Sequence, residues 1–193
     1  MLKKKMIRDV LQNKSQFITI FLMVLIGVMV YVGIESYMDG MINAADKFYS
    51  ENNLQDLNVI GNNLTKEDLE KIKTLNNVTD AERKLVVTGI DADDNDKTYL
   101  ISFIESNNIS KFYVITGEEF DANKKGVWVD NFYAEKNNLN VGDTIKIQYD
   151  SFILEEKILG LINVPDHIYD VKDESELVPN RNVFGFVYLS YNE

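Results

Sequence analysis

The sequence predicts an α+β protein with one N-terminal transmembrane helix and a helical stalk, followed by a mixed or antiparallel sheet domain with few helices. Three observations support this. Residues 17–34 carry no charge, the next stretch keeps apolar residues at helical spacing, and the remainder holds many short β-type segments but only two helix patterns. We therefore divide the chain into a basic amphipathic segment (1–16), a transmembrane helix (17–34), a stalk (35–52) and an α+β core domain (53–193).

The uncharged run is long enough to cross a bilayer. As a helix, its eighteen residues would span about 27 Å, close to the roughly 30 Å of the hydrocarbon core. Its Leu, Ile, Val and Phe side chains favour insertion by about 4–7 kcal/mol before the costs of Thr19 and the glycines. The predicted span residues are Phe17, Ile18, Ile20, Phe21, Leu22, Val24, Leu25, Ile26, Val28, Val30, Val32 and Ile34.

The flanking charges predict the orientation of this helix. Five basic residues precede it, and only Lys47 is basic in the twenty residues after it. The positive-inside rule therefore places the N-terminus in the cytoplasm and the core domain outside the cell membrane. The Asn-, Lys- and Ile-rich composition is typical of a bacterial protein from an AT-rich genome. The topology-determining residues are Lys3, Lys4, Lys5, Arg8 and Lys14.

Two alternatives to a retained transmembrane helix are a cleaved signal peptide and a buried core helix. A signal peptide normally has an apolar region of about 7–15 residues that ends at a small-x-small site. Here the run is longer, and the first pair of small residues, Ala44-Ala45, lies ten residues beyond it. A buried core helix is disfavoured in a chain of this size because the run is apolar on every face.

The segments on either side of the run also have helical patterns. Before it, Leu2, Met6, Ile7, Val10 and Leu11 recur among basic residues, which predicts an amphipathic helix on the inner membrane face; an unstructured positive tag is the alternative. After it, an apolar stripe predicts a stalk helix that ends near Asn52-Asn53. The stalk face consists of Tyr37, Met41, Ala45 and Phe48.

The elements of the core domain are predicted from the alternation of apolar and polar residues and from capping and turn residues at their ends. Thr65 is a candidate N-cap with Asp68 three residues later, and Leu69, Ile72 and Leu75 form the predicted buried stripe of the helix that follows. A second, short helix is predicted at 131–138. Residues 105–125 show an irregular pattern, and 165–182 are expected to form a long loop. Strands are predicted at 56–60, 78–90, 98–104, 127–129, 144–149, 157–162 and 183–189.

The sequence offers little for catalysis or for metal binding. There is no cysteine, and His167 is the only histidine. No nucleotide-binding or hydrolase motif occurs, and no motif supports the Ser-His-Asp triad that is formally possible. The pattern Asp91-x-Asp93-x-Asn95 resembles a calcium loop but lacks its glycine and its final glutamate, so we expect a solvated hairpin tip. We predict no catalytic, cofactor or metal site, and no enzyme.

Charge also limits the possible partners. Residues 1–16 carry a net charge of +4 and residues 35–193 carry −15. Because binding to nucleic acid requires a positive surface, such an acidic domain is not expected to bind it. The expected partners at this point are the lipid bilayer and other proteins.

The order of these segments resembles the N-terminal part of an FtsX/MacB-like ABC transporter permease. Taken together, the segments cover most of the chain in the family's order. Four segments carry the resemblance: Ile7-Arg8-Asp9 with the following 15–22, residues 64–72 with Asn77-Val78, residues 134–140 with Val141-Gly142-Asp143-Thr144-Ile145, and residues 157–161.

The resemblance implies a permease subunit whose extracytoplasmic domain contacts a substrate or partner and couples mechanically to a separate ATPase subunit. It also implies a homodimer or a pair of permeases. Members of the family have four membrane helices, and no second span follows Leu189, so we expect an N-terminal fragment or a truncated reading frame. The alternative is a single-pass surface sensor or adhesion module without a role in transport.

Overall fold

The computed structural model describes residues 2–167, 171–172 and 176–191. It divides into two compact units, residues 1–47 and 48–193, and each is treated by itself below.

Two helices make up the first unit. Helix α1 comprises Leu2–Gln12, and helix α2 begins after Asn13 and runs from Lys14 to Glu51, beyond the end of the unit. The predicted span and stalk therefore belong to one uninterrupted helix of 38 residues. None of its side chains is buried, which excludes the interpretation as a globular core helix. Within the described residues, α2 is the one helix long and apolar enough to cross a membrane.

Helix α1 has the predicted amphipathic pattern. Met6, Ile7 and Leu11 are each more than half exposed, and Val10 is 41% exposed. Basic side chains lie between them, and the backbone N–H of Asn13 still donates to the carbonyl of Asp9. An unstructured tag is therefore not what the structure shows.

The second unit is an α+β domain built on a closed sheet. Six strands pair in the cyclic order β6-β4-β7-β2-β1-β5 and back to β6, so the sheet forms a barrel, and β3 adds to β6 outside the ring. Pairs β2–β7 and β4–β6 are parallel and the others antiparallel. The elements are α3 (Lys66–Lys73), β1 (Lys84–Asp91), β2 (Thr98–Ile104), β3 (Tyr113–Gly117), β4 (Val127–Asp130), α4 (Asn131–Asn137), β5 (Thr144–Tyr149), β6 (Phe152–Asn163) and β7 (Phe184–Ser190).

Several predictions for this domain are wrong. Residues 56–60 form no strand, and the strand expected at 78–90 begins only at Lys84. The segment 105–125 contains β3, which the sequence did not indicate, and β6 is twice as long as expected because its first half pairs with β5. The mixed sheet was expected, but its closure into a barrel was not.

Both faces of the sheet are covered around β7, and all seven of its residues are buried. Val187 and Leu189 belong to one apolar cluster with Tyr99, Ile147 and Tyr133. The alternate residues Phe186 and Tyr188 belong to a second cluster, which includes Phe112 and Trp128. Two-sided burial explains why β7 reads as a continuous apolar run.

Close packing in the first cluster depends on Gly185. A Cβ atom at this position would lie 2.4 Å from Cγ of Tyr133. The Tyr133 ring occupies that space and packs edge-on against Tyr99, with 5.4 Å between the ring centroids. A side chain at position 185 would therefore displace α4 from the sheet.

Helix α3 is capped as predicted but is less buried than predicted. The Thr65 side chain accepts a hydrogen bond from the Asp68 N–H, and the Asp68 side chain accepts one from the Thr65 N–H. This capping box satisfies backbone donors of the first turn. No residue of α3 is fully buried, however: Leu69 and Ile72 are half-buried, and Leu75 is 59% exposed, so the predicted stripe is only partly buried.

Candidate functional site at the end of the long helix

Helix α2 ends in a Schellman motif inside the second unit. Asn53 adopts a left-handed conformation with φ of 49°, and its N–H donates to the Ser50 carbonyl. The N–H of Leu54 reaches back to the Tyr49 carbonyl at 3.0 Å. These two hydrogen bonds satisfy carbonyl groups of the last helical turn. Asparagine tolerates the conformation better than other non-glycine residues, which explains its presence here.

Four hydrogen bonds join this helix end to the loop between β2 and β3. The N–H groups of Lys111 and Ser110 donate to the carbonyls of Asn52 and Asn53, both at 2.8 Å. The Asn53 side chain donates to the Asn108 carbonyl at 2.8 Å, and the N–H of Gln55 donates to the Ser110 hydroxyl. We call this set the helix-end clamp: Asn52, Asn53, Gln55, Asn108, Ser110 and Lys111.

The loop that holds the helix end is itself held by one carboxylate. Glu82 accepts hydrogen bonds from the Ser106 hydroxyl at 2.5 Å and from the N–H groups of Asn108 and Ile109. The Asn107 side chain bridges the N–H and the carbonyl of Phe112. Because hydrogen bonds to a charged acceptor are stronger than neutral ones, Glu82 is the principal organiser of this loop.

An open cleft of about 710 Å³ lies on the same loop. Lys111 and Glu119 line it and form no ion pair within the described part of the chain. Lys124 is paired with Glu118 at the rim. With two cationic and two anionic lining residues, the cleft is suited to a polar ligand of low net charge. Its lining consists of Ser106, Asn107, Asn108, Lys111, Glu119, Phe120, Asp121, Ala122 and Lys124.

The floor of the cleft connects to the barrel core through aromatic rings. Phe120 packs on Trp128 and Phe112, with centroid separations of 5.1 and 6.0 Å. The Trp128 indole N–H donates to the Glu118 carbonyl at 2.8 Å, which fixes the segment after β3. A ligand on Phe120 would therefore contact a rigid part of the domain.

The single histidine lies in a packed cluster. The His167 ring stacks on Phe186 with centroids 4.6 Å apart, and the Arg181 guanidinium also lies 4.6 Å from the Phe186 ring. Arg181 donates to the His167 carbonyl and lies 4.0 Å from the carboxylate of Asp130. Burial raises the pKa of Asp130, while the nearby Arg181 charge opposes that shift. Through these contacts, His167 and Arg181, which precede β7 in the sequence, are joined to β7 and to Asp130, the N-cap of α4.

The calcium-like sequence has other partners for its carboxylates. Asp91 accepts the Tyr99 hydroxyl at 2.6 Å, and Asp93 pairs with Lys146 at 3.1 Å. Across residues 2–167, 171–172 and 176–191, no group of three or more His, Asp or Glu side chains is placed to hold a metal ion. These aspartates stabilise the β1–β2 turn.

The predicted span, topology and stalk residues lie on helices α1 and α2. The twelve span residues are all between 41% and 64% exposed on α2. Lys4, Lys5 and Arg8 lie on α1, and Lys14 begins α2. The side chain of Lys3 lies outside the described atoms. On the stalk face, Tyr37, Met41 and Ala45 are exposed, and Phe48 is half-buried in the second unit.

Sequence reasoning missed the helix-end clamp and the cleft. The clamp joins positions about 55 residues apart, and only the Asn52-Asn53 stop signal marked one side of it. Comparisons with family models, with curated proteins and with solved structures find no match for this chain. The likeness to FtsX/MacB-like permeases therefore stays a hypothesis.

Proposed function

We propose that this chain is the membrane-anchored part of an FtsX/MacB-type permease, whose outer domain contacts a substrate or partner protein. One observation carries the proposal. A single 38-residue helix contains the uncharged run and ends in a hydrogen-bonded clamp on the barrel domain. A continuous helix can transmit rotation or displacement along its length, since its backbone hydrogen bonds resist bending.

Exposure and charge support the anchoring. Side chains such as Phe21 and Ile26 are more than half exposed on α2, and nothing within the first unit covers them. Lipid would remove this apolar surface from water. The basic residues of α1 favour a cytoplasmic N-terminus in a bacterial membrane, with the acidic barrel outside.

The cleft and the clamp support a route for coupling. Lys111 belongs to both, because it lines the cleft and its backbone N–H donates to the Asn52 carbonyl at the helix end. A ligand that shifts the loop 105–112 would change the hydrogen bonds to Asn52 and Asn53. The outer domain would thereby change how the end of the helix is held. A separate ATPase subunit in the cytoplasm would respond to that change or cause it.

The chain contributes no catalysis in this proposal. ATP hydrolysis belongs to the partner subunit, and the permease works as a homodimer or a pair, as in the family that the sequence resembles. Binding in the cleft and conformational coupling are the roles assigned to this chain.

Topology and partnership test the proposal in bacterial cells that express the full chain. Protease added to intact spheroplasts should remove the barrel, and alkaline extraction should leave the remaining fragment in the membrane. Replacing Val28 by Lys should weaken retention, because a central lysine costs about 3 kcal/mol. The matched control Thr19→Ser should behave like the parent. A barrel that stays protected in intact spheroplasts would contradict the proposed orientation.

The permease assignment needs a second measurement. Chemical cross-linking in membranes, followed by purification of the chain, should recover a protein with ATPase activity. Inserting one residue after Asp39 rotates the helix by about 100°, whereas inserting seven restores nearly the same phase. Coupled ATPase activity should fall with the first insertion and survive the second. Membrane anchoring without any associated ATPase would favour the sensor or adhesion alternative.

A further inference from the structure

Strand β1 has one edge that is paired and one edge that is largely open. Along the first edge, β2 pairs with β1 in an uninterrupted register from Lys84 to Ile90. Along the second edge, β5 pairs only with Ile90 and Asp91. The described part of the chain places no other strand beside residues 84–89 on that side. An open edge of this kind presents unpaired backbone groups that can bind another strand.

The hydrogen bonds to β5 identify the backbone groups on the open edge. The N–H of Ala92 donates to the carbonyl of Lys146 in β5. Because successive residues of a strand direct their backbone groups to opposite edges, Val86 and Thr88 point the same way as Ala92. Both residues are exposed, and no backbone group among the described residues pairs with them on this side. Their N–H and C=O groups are therefore available to a further strand.

The turn between β5 and β6 explains why the edge is open. The register of the β1–β5 pair would place Asp150 opposite Thr88. Asp150 instead has φ of 51°, and its carbonyl accepts a hydrogen bond from the Gln148 side chain. The chain reverses here and enters β6 at Phe152. Strand β5 thus leaves the edge while β1 continues beyond it.

Apolar side chains lie exposed along the edge and on the adjacent turn. Leu85 and Val86 of β1 are exposed, although both belong to a strand of the barrel. On the turn, Phe152 is 74% exposed and lies opposite the exposed Tyr149. Several exposed apolar residues beside an unpaired edge indicate an interaction surface. We call this surface the open edge, and it consists of Leu85, Val86, Thr88, Tyr149, Asp150, Phe152 and Ile153.

We propose that the open edge binds an extended segment of a partner protein, which adds a strand to β1. The added strand would pair with the backbone groups of Val86 and Thr88, and its alternate side chains would contact the exposed apolar residues. The open edge shares no residue with the cleft. It is therefore a second contact surface of the outer domain, and it does not depend on the permease assignment.

Charge favours a basic segment as the occupant. Lys84 is the only cation of β1, and it is already paired with Asp166 at 2.8 Å. Asp150 is exposed and forms no ion pair within the described residues. Residues 35–193 also carry a net charge of −15, which attracts cations. The occupant is thus an extended segment that alternates apolar and polar residues and places a lysine or arginine at Asp150.

A fluorescent peptide tests this proposal on the full chain in lipid nanodiscs. The probe is acetyl-Arg-Thr-Val-Thr-Val-Thr-Val-amide, and fluorescence polarisation measures its binding. One control peptide has the same side chains but is methylated at every backbone nitrogen, so it cannot donate to a strand. A second control peptide carries glutamate in place of the arginine.

We expect saturable binding of the probe with a Kd below about 1 mM. The methylated peptide should bind at least tenfold more weakly, since each lost hydrogen bond costs about fivefold in affinity. The glutamate peptide should also bind several-fold more weakly. An absence of saturable binding would overturn the proposal. Equal affinities of the probe and the methylated peptide would show that no strand pairs with β1, which also overturns it.

Protein variants locate the binding at the open edge. Val86→Pro removes an N–H that points away from β2, and prolines are tolerated at such edge positions. It should weaken probe binding about fivefold, whereas Val86→Thr, which keeps the N–H, should bind like the parent. Trp128 fluorescence verifies that each variant is folded. The methylated peptide makes the same comparison with the unaltered protein, so the test does not depend on folding of the proline variant.

A variant of Asp150 tests the charge preference. Asparagine tolerates the left-handed conformation, so Asp150→Asn keeps the turn and removes the charge. It should reduce the preference for the arginine probe over the glutamate peptide, and an unchanged preference would overturn the assignment of a basic occupant. These measurements use protein that is already in a bilayer and contain no ATPase. A negative result would therefore contradict the open edge and leave the proposed function intact.

Discussion

Replacing Glu82 by alanine removes the carboxylate that holds the loop between β2 and β3. This side chain receives the hydroxyl of Ser106 and the N–H groups of Asn108 and Ile109. Alanine leaves three donors to find water or to remain unpaired. Because the same loop carries half of the helix-end clamp, the change should loosen the end of α2 as well.

The magnitude follows from the three lost partners. A hydrogen bond to a charged group contributes about 1.5–3 kcal/mol when buried. Glu82 is only half-buried, so water replaces part of each bond and about 1 kcal/mol per bond is the better value. We expect Glu82→Ala to lower the free energy of unfolding by about 3 kcal/mol, and Glu82→Gln by about half of that, since an amide oxygen still accepts.

Urea unfolding of the detergent-solubilised full chain measures this effect. Trp128 is the only tryptophan and is fully buried, so its fluorescence reports barrel unfolding. Hydrogen exchange at the Ile109 amide reports the loop directly. Glu119→Ala is the matched control, because Glu119 is exposed and shows no hydrogen bond or ion pair within the described residues. Equal stability of the Glu82→Ala and Glu119→Ala proteins, with unchanged Ile109 exchange, would refute the assigned role of Glu82.

Three further predictions concern the barrel and α3. Gly185→Ala should destabilise the domain by about 3 kcal/mol or more, because the new methyl group overlaps the Tyr133 ring; thermal unfolding by circular dichroism measures this, and an unchanged midpoint would contradict the packing. Burial raises the pKa of Tyr133 to about 12. The unfolded chain therefore releases this proton at lower pH than the folded chain, and stability should fall as the pH rises from about 10 to 12, by up to about 1.4 kcal/mol per pH unit. In the Tyr133→Phe protein, the free energy of unfolding should fall less steeply with pH. Urea unfolding of both proteins at each pH measures this, and equally steep falls would show that the reasoning is wrong. Thr65→Ala should cost about 1 kcal/mol of local stability in α3, seen as faster amide exchange of Asp68, whereas Thr65→Ser should retain the protection.

Local features of this chain could be read from its sequence. The propensity of residues 17–34 for lipid is a sum over side chains, and helical spacing before and after the run is likewise a property of neighbouring positions. The capping box at Thr65 and Asp68 joins residues only three apart. The α4 helix and the strands 98–104 and 144–149 were predicted for the same reason, since alternation and turn residues mark their ends.

Pairing partners decided the features that sequence reasoning missed. Residues 56–60 alternate like a strand, yet Leu57 and Ile60 are largely exposed and no neighbouring strand pairs with them. Conversely, β3 shows no clear alternation, and it exists because β6 offers an edge with which it pairs, with a bulge in β3 at Ile115. Strand formation depends on what lies beside the segment as much as on the segment itself.

The sequence by itself determined an uncharged helix with a basic start, an acidic α+β domain after it and the ends of several elements. Tertiary structure alone decided that the sheet closes into a barrel, that Glu82 holds the loop 105–112, and that this loop clamps Asn52 and Asn53. The physical reason is how far apart in sequence the interacting groups are. Partition and helix propensity add up along neighbouring residues. Closure and clamping instead join distant positions, such as Thr98 with Phe184 in the barrel and Asn53 with Asn108 in the clamp, whose meeting depends on the packing of everything between them.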